Sequence, residues 1–121
     1  EALTMVDMAS KEIIPAVIKY SKSLADSVLA VKEAGADAEV QTELLKEVSA
    51  KLTEMKTALA KLEEVEAKAA AMENAKDQAF YYKDVVKAAM DALRKPADEL
   101  EMIVDKKVWP FPTYADLMFE V

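Results

Sequence analysis

The stretch Glu39 to Met72, EVQTELLKEVSAKLTEMKTALAKLEEVEAKAAAM, decides the fold. Leu45, Val48, Leu52, Met55, Leu59, Leu62 and Ala69 recur along it in a three-four heptad pattern, with Glu66 the one polar member. Only an α-helix brings residues so spaced onto a single seam. The spacing predicts a helix over 39–72, roughly 50 Å long at about 1.5 Å per residue. A helix of that length with one apolar seam needs helical partners, so the chain on either side is read for more of the same periodicity.

Upstream, Val6, Ala9, Ile13, Val17, Tyr20, Leu24, Val28 and Val31 form a second stripe and predict a helix over 4–33. Pro15 falls inside it. A proline ring removes one backbone hydrogen bond and crowds the preceding turn. The helix therefore kinks at Pro15 or starts afresh with Pro15 in its first turn. Ala34-Gly35-Ala36-Asp37 reads as the loop between the two helices, with Gly35 free to take positive φ after a helix end and Asp37 placed to cap the next one.

Downstream, the phase of the pattern predicts a turn near Asn74. Were the second heptad to continue, Glu73, Lys76, Lys83 and Lys87 would fall on the seam, and unpaired buried Lys is costly. Ala79, Tyr82, Val86, Ala89 and Leu93 form a new stripe instead. Leu100, Ile103 and Val104 resume it beyond a kink or short break expected at Lys95-Pro96. The expected architecture is all-α: an up-down-up bundle of three long helices over 1–104, followed by an extended aromatic and proline tail over 105–121.

That tail departs from the heptads. It holds the only Trp, two of the three Phe and two of the four Pro. Pro110 and Pro112 forbid regular helix and push Trp109 and Phe111 towards extended geometry. Thr113 is placed to cap a last turn, Tyr114 to Phe119. Trp109, Pro110, Phe111, Pro112, Tyr114 and Phe119 either close the end of the bundle or anchor it on another domain or subunit, where aromatic residues concentrate binding energy. Two prolines one residue apart do not make a PxxP ligand.

Composition narrows the functions. With 23 Asp and Glu against 16 Lys and Arg the net charge is -7, and Arg94 is the only Arg. Nucleic-acid binding rests on cations that neutralise phosphates, so it is not expected. No basic amphipathic face points to a membrane surface, and no apolar run is long enough to span one. The absence of Cys removes disulfides and thiol chemistry and suits a cytoplasmic protein. The absence of His removes the commonest general base and metal ligand. The chain opens at Glu1 without an initiator Met, which fits a piece of a longer protein; processing accounts for it equally.

No catalytic, metal or cofactor site is legible. Glu63, Glu64 and Glu66, and Asp98, Glu99 and Glu101, are read as solvated helical faces. Gly35 stands alone where a phosphate loop needs several glycines. Ser10, Ser21, Ser23, Ser27 and Ser49 have no His partner, and nothing marks a Ser–Lys pair. Met5, Met8, Met55, Met72, Met90, Met102 and Met118 are read as core filler, and Tyr81-Tyr82 as one buried ring and one on the surface.

The tail PADELEMIVDKKVWPFPTYADLMFEV resembles the extreme C-terminus of type III bacterial glutamine synthetases, which typically ends in Asp-Lys, a hydrophobic residue or two, Trp-Pro-Phe-Pro, Thr or Ser, Tyr-Gly-Asp and a hydrophobic stretch. Phe80-Tyr81-Tyr82-Lys83-Asp84-Val85-Val86, Ala89-Met90 and Leu93-Arg94 are similar too, as are Glu1 to Ala9 and Ile14-Pro15-Ala16-Val17. The middle helix matches in character only, and Ala115 stands where the family pattern has Gly.

The resemblance implies a parent enzyme that joins ammonia to glutamate with ATP through a γ-glutamyl phosphate, with Mg²⁺ or Mn²⁺ holding the phosphates and substrate. It implies a large cytoplasmic two-ring homo-oligomer in which this domain packs on its own catalytic domain and on neighbouring subunits. None of the family's catalytic motifs falls within this chain, so the segment alone is expected to be inactive. Two other classes fit the residues: a free-standing helical interaction or sensor module, and a small acidic enzyme using carboxylates alone.

Overall fold

The computed structural model describes residues 1–110, and every regular element among them is helical. α1 (Ala2–Met8) passes through a π-helical turn, Ala9–Ile13, into α2 (Ile14–Glu33). α3 is one uninterrupted helix, Glu39–Ala71. α4 (Ala75–Tyr81) passes through a second π turn, Tyr82–Val86, into α5 (Lys87–Ile103). The chain thus forms three helical runs, 2–33, 39–71 and 75–103, where the apolar stripes predict them.

The loops form for local reasons. Gly35 takes φ +88°, its N–H donates to Lys32 O at 3.0 Å, and the Ala36 N–H donates to Val31 O at 3.1 Å. This pair of bonds satisfies two carbonyls at the end of α2 and requires the left-handed residue that glycine supplies without strain. Asp37 accepts from the Glu39 N–H at 3.2 Å, capping α3 from one residue before its formal N-cap, Ala38. The second break is sharper. Met72 is extended, and Asn74 Oδ1 accepts from the N–H groups of Lys76 and Asp77 at 3.0 and 3.1 Å. Asn74 followed three residues on by Asp77 is an N-cap with an acid in the first turn, so the turn that phase alone predicted also has a capping residue to hold it.

α3 is the centre on which the other two runs pack. Val48, Met55, Leu59, Leu62, Val65 and Ala69 are its buried residues. Burying one such aliphatic side chain contributes about 1.5–3 kcal/mol. Val65 takes the place the heptad gave to Glu66, which is half-exposed, while Leu45 and Leu52 are only partly covered. The seam therefore drifts off a strict heptad, as a straight helix of 3.6 residues per turn does. Ala69, Glu66 and Lys51 meet Gln78, Tyr82 and Glu99 in turn, at 2.8, 3.3 and 2.8 Å. Residue numbers fall along α3 as they rise along the third run. Tyr20 Oη donates across to the Ile103 carbonyl at 3.4 Å, linking α2 to the end of α5.

The π turns are the main departure from the sequence reading. In each, a backbone N–H reaches back five residues, Ile14 to Ala9 O and Lys87 to Tyr82 O. The first lies directly before Pro15, whose ring would crowd the Lys11 carbonyl in an unbroken α-helix. Pro15 then sits in the first turn of α2, and the backbone stays helical through Ile13 and Ile14, so the run continues past Pro15 and does not start afresh there. The second adds one residue to the third run and rotates everything before it. Tyr81, not Tyr82, packs against the core, and Ala79 is exposed. Of the kink or short break expected at Lys95-Pro96, the break is absent: α5 continues to Ile103 with Pro96 inside it and buried.

After Ile103 the chain leaves the helix at Val104, which is extended and buried. Asp105 then organises a turn. Its carboxylate accepts from the Lys107 N–H at 2.9 Å, and its carbonyl accepts from the N–H groups of Val108 and Trp109 at 2.9 and 3.0 Å. These bonds bring Trp109 back onto the core, where it is 8% exposed.

Candidate functional site

Of the docking residues the sequence singles out, two are described. Trp109 is buried in the chain's own core cluster and Pro110 is exposed. Phe111, Pro112, Tyr114 and Phe119 lie outside the described residues, as do the turn expected from Thr113 and Met118.

The carboxylates are more varied than a solvated face. Glu63, Glu64 and Asp98 are exposed, with Glu64 paired to Lys68 at 3.6 Å. Glu99 differs. Its Oε2 meets Lys51 Nζ from α3 at 2.8 Å, and its Oε1 is buried without a hydrogen-bond partner among the described residues. The hydrogen bond to Lys51, followed by its charge, holds the Glu99 carboxyl below its ordinary value against the opposing effect of desolvation. The same hydrogen bond raises Lys51. Glu99 is thus an interhelical tie, which residue type and run composition do not reveal.

Three of the five serines are engaged within their own helices. The hydroxyls of Ser10, Ser21 and Ser23 donate to carbonyls of their own helices, those of Val6, Ile18 and Lys19. Among the described residues, no three carboxylates come together to hold a metal ion. No helix among the described residues is long and apolar enough to cross a membrane. Met55 fills the core, and Met5 and Met90 pack against it; Met102, at 89% exposed, does not.

A groove of about 720 Å³ opens between the first and third runs. Ala2 and Leu3 form one wall, Tyr82, Met90 and Arg94 the other, and Glu66 rises from α3. The second π turn shapes it, because the added residue carries Tyr82 out of the core and onto the rim. There Tyr82 Oη donates to Glu66 Oε1 at 3.3 Å. Partial burial, and then the neighbouring carboxylate, raise the Tyr82 hydroxyl above its ordinary value. Nothing in the sequence marks this groove, since it lies between runs that pack on α3 more than on each other.

Comparison with known proteins gives these features a setting. The family model described as "Glutamine synthetase C-terminal domain" matches residues 1–32. A glutamine synthetase of Butyrivibrio fibrisolvens is 35% identical over 123 residues, covering 100% of this chain and 18% of that protein. One from Bacteroides fragilis (strain YCH46) is 30% identical over 125 residues, covering 98% of this chain and 17% of its own length. The chain therefore spans less than a fifth of the relatives it matches. The family match at one end and alignment along essentially the whole chain agree: both support a similarity of this chain to the C-terminal domain of glutamine synthetases.

Proposed function

We propose that this chain is the non-catalytic C-terminal helical domain of a type III bacterial glutamine synthetase, and that it supports the stability or assembly of that enzyme. The full-length protein would ligate ammonia to glutamate with ATP and Mg²⁺ or Mn²⁺, in the cytoplasm, as a large homo-oligomer. The observation that carries this reading is alignment of essentially the whole chain with two glutamine synthetases of which it covers 17% and 18%. The contact ladder along α3 supports an up-down-up stem, rigid enough to present its two ends to other parts of the protein. Trp109 closes the stem on itself, and in this reading the segment from Pro110 onward, with Phe111, Pro112, Tyr114 and Phe119, meets the catalytic domain or a neighbouring subunit.

The test uses the complete gene. A frame encoding this chain after a glycine-rich nucleotide segment and metal-binding Glu and His clusters is expected, and its product should form glutamine from glutamate, ammonia and ATP. Residues 1–121 alone should form none. Removal of 111–121 from the full-length enzyme should reduce the oligomer in sedimentation. A full-length product without glutamine synthesis refutes the enzymatic part; an unchanged oligomer after truncation refutes the role of the tail.

A further inference from the structure

The groove between the first and third runs carries apolar and charged side chains together. It is open to solvent, measures about 720 Å³ and is lined in part by the apolar side chains of Ala2, Leu3, Val86 and Met90. Leu3 stands at its edge 63% exposed, and Tyr82 is 37% exposed. Its lining carries the acids Glu1, Glu66 and Asp91 and the bases Lys83, Lys87 and Arg94, not all of them paired. Lys87 is paired with Asp91 at 3.5 Å and Glu66 accepts from Tyr82, but Lys83 and Arg94 make no ion pair among the described residues.

We infer that the groove seats the polypeptide that precedes Glu1 in the full-length protein, through apolar side chains and at least one carboxylate that meets Lys83 or Arg94. Two observations choose this occupant. The relatives carry more than four-fifths of their length outside the matched segment, so a synthetase containing this chain has a large body to join to it. And Glu1, Ala2 and Leu3 are themselves part of the groove wall, so a chain joined to Glu1 begins at its edge. Covering it would bury Leu3 and the exposed side of Tyr82 and give the two cations a carboxylate partner in a partly desolvated place, where such a pair is stronger than on an open surface. The groove is then the seam between this domain and the enzyme's body. This inference rests on the reading above of the chain as part of a larger synthetase.

Site-directed photocrosslinking in the full-length protein tests it. The variant Tyr82→p-benzoylphenylalanine keeps an aromatic ring on the groove wall, and Phe80→p-benzoylphenylalanine places the same probe on an exposed position outside it. After illumination, mass spectrometry of the digested protein should find the Tyr82 probe joined to peptides N-terminal to Glu1, several-fold above the Phe80 probe. Crosslinks to residues 111–121, to a neighbouring subunit, or no yield above the Phe80 probe would overturn the inference while leaving the synthetase assignment intact. A gene that encodes no chain before Glu1 would remove both. Glutamine synthesis measured on the same two variants confirms that each probe sits in a folded enzyme.

Discussion

α3 and the third run bury the same kinds of side chain at different spacings. Along α3 the covered residues Val48, Leu52, Met55, Leu59, Leu62, Val65 and Ala69 follow steps of three and four. In the third run the step from Tyr81 to Val86 is five, because the π turn Tyr82–Val86 adds a residue to one turn. The difference teaches that an apolar stripe identifies a helix reliably and its buried face only as far as the turn stays regular. It also implies opposite responses to losing a residue. Deletion of exposed Lys61 rotates Leu62, Val65 and Ala69 away from their neighbours, and the expected loss exceeds about 5 kcal/mol, since one buried Leu alone is worth roughly 2–5. Deletion of exposed Asp84 leaves Tyr81 and Val86 four residues apart, on one face of a regular α-helix, and the melting temperature should barely change. Comparable losses for both deletions, in urea unfolding of the two variants, would break the register account.

The comparison extends to the end of the third run, where regular structure stops and burial does not. Trp109→Ala is expected to destabilise the isolated chain by about 3–5 kcal/mol, because the ring belongs to this chain's own core. Were its mate in another domain, the isolated chain would melt unchanged and only the full-length protein would suffer. Chemical denaturation of residues 1–121, with and without the substitution, separates the two.

The existence, type and approximate limits of all three runs were legible in the sequence, because each carries a long amphipathic stripe and long stripes average over local irregularity. Gly35 and Asp37 were legible for a different reason: each has a backbone task that few residue types perform. Asn74 could have been read the same way from its spacing to Asp77. The features hidden from the sequence depend on relations between elements. No residue announces the π turn at Tyr82, so a regular helical stripe places Tyr82 and Ala79 in a core that takes Tyr81. Pro96 is tolerated on the buried face of a helix that local propensity would end. Glu99 has the look of a surface acid until α3 brings Lys51 beside it. The groove arises from how two runs share a third, and a one-dimensional pattern does not contain that.

Within α3 itself the comparison sharpens to a single seam. Leu59, at 1% exposed, and Leu52, which is partly exposed, both sit on the heptad read from sequence. Leu59→Ala should cost about 2–5 kcal/mol, and Leu52→Ala clearly less, since less area returns to water and no closed cavity forms. Equal costs would restore the strict heptad and remove the drift that places Val65 inside and Glu66 at the edge.

The smallest expected effect concerns the tie that holds α5 to α3. Glu99 has a lowered carboxyl pKa in the folded chain, so its stabilising contribution is complete above the ordinary carboxylate value of 4.5 and fades as pH falls through the depressed folded value. Lys51 is raised above 10.5, so the same contact is complete below that and fades as pH climbs through the raised value. One interaction is lost at both limits, not two. Both side chains retain access to water, so screening keeps the effect modest and salt weakens it further. Glu99→Gln should therefore lower the melting temperature slightly at about pH 7 and reduce the further loss on going to about pH 3, where the native carboxylate is being protonated. The unpartnered Oε1 sharpens the expectation: a carboxylate half-withdrawn from water is tolerated there only while Lys51 compensates it, so Lys51→Met should destabilise more than Glu99→Gln does. Identical acid limbs for the native chain and Glu99→Gln would show that the 2.8 Å contact holds geometry without contributing stability.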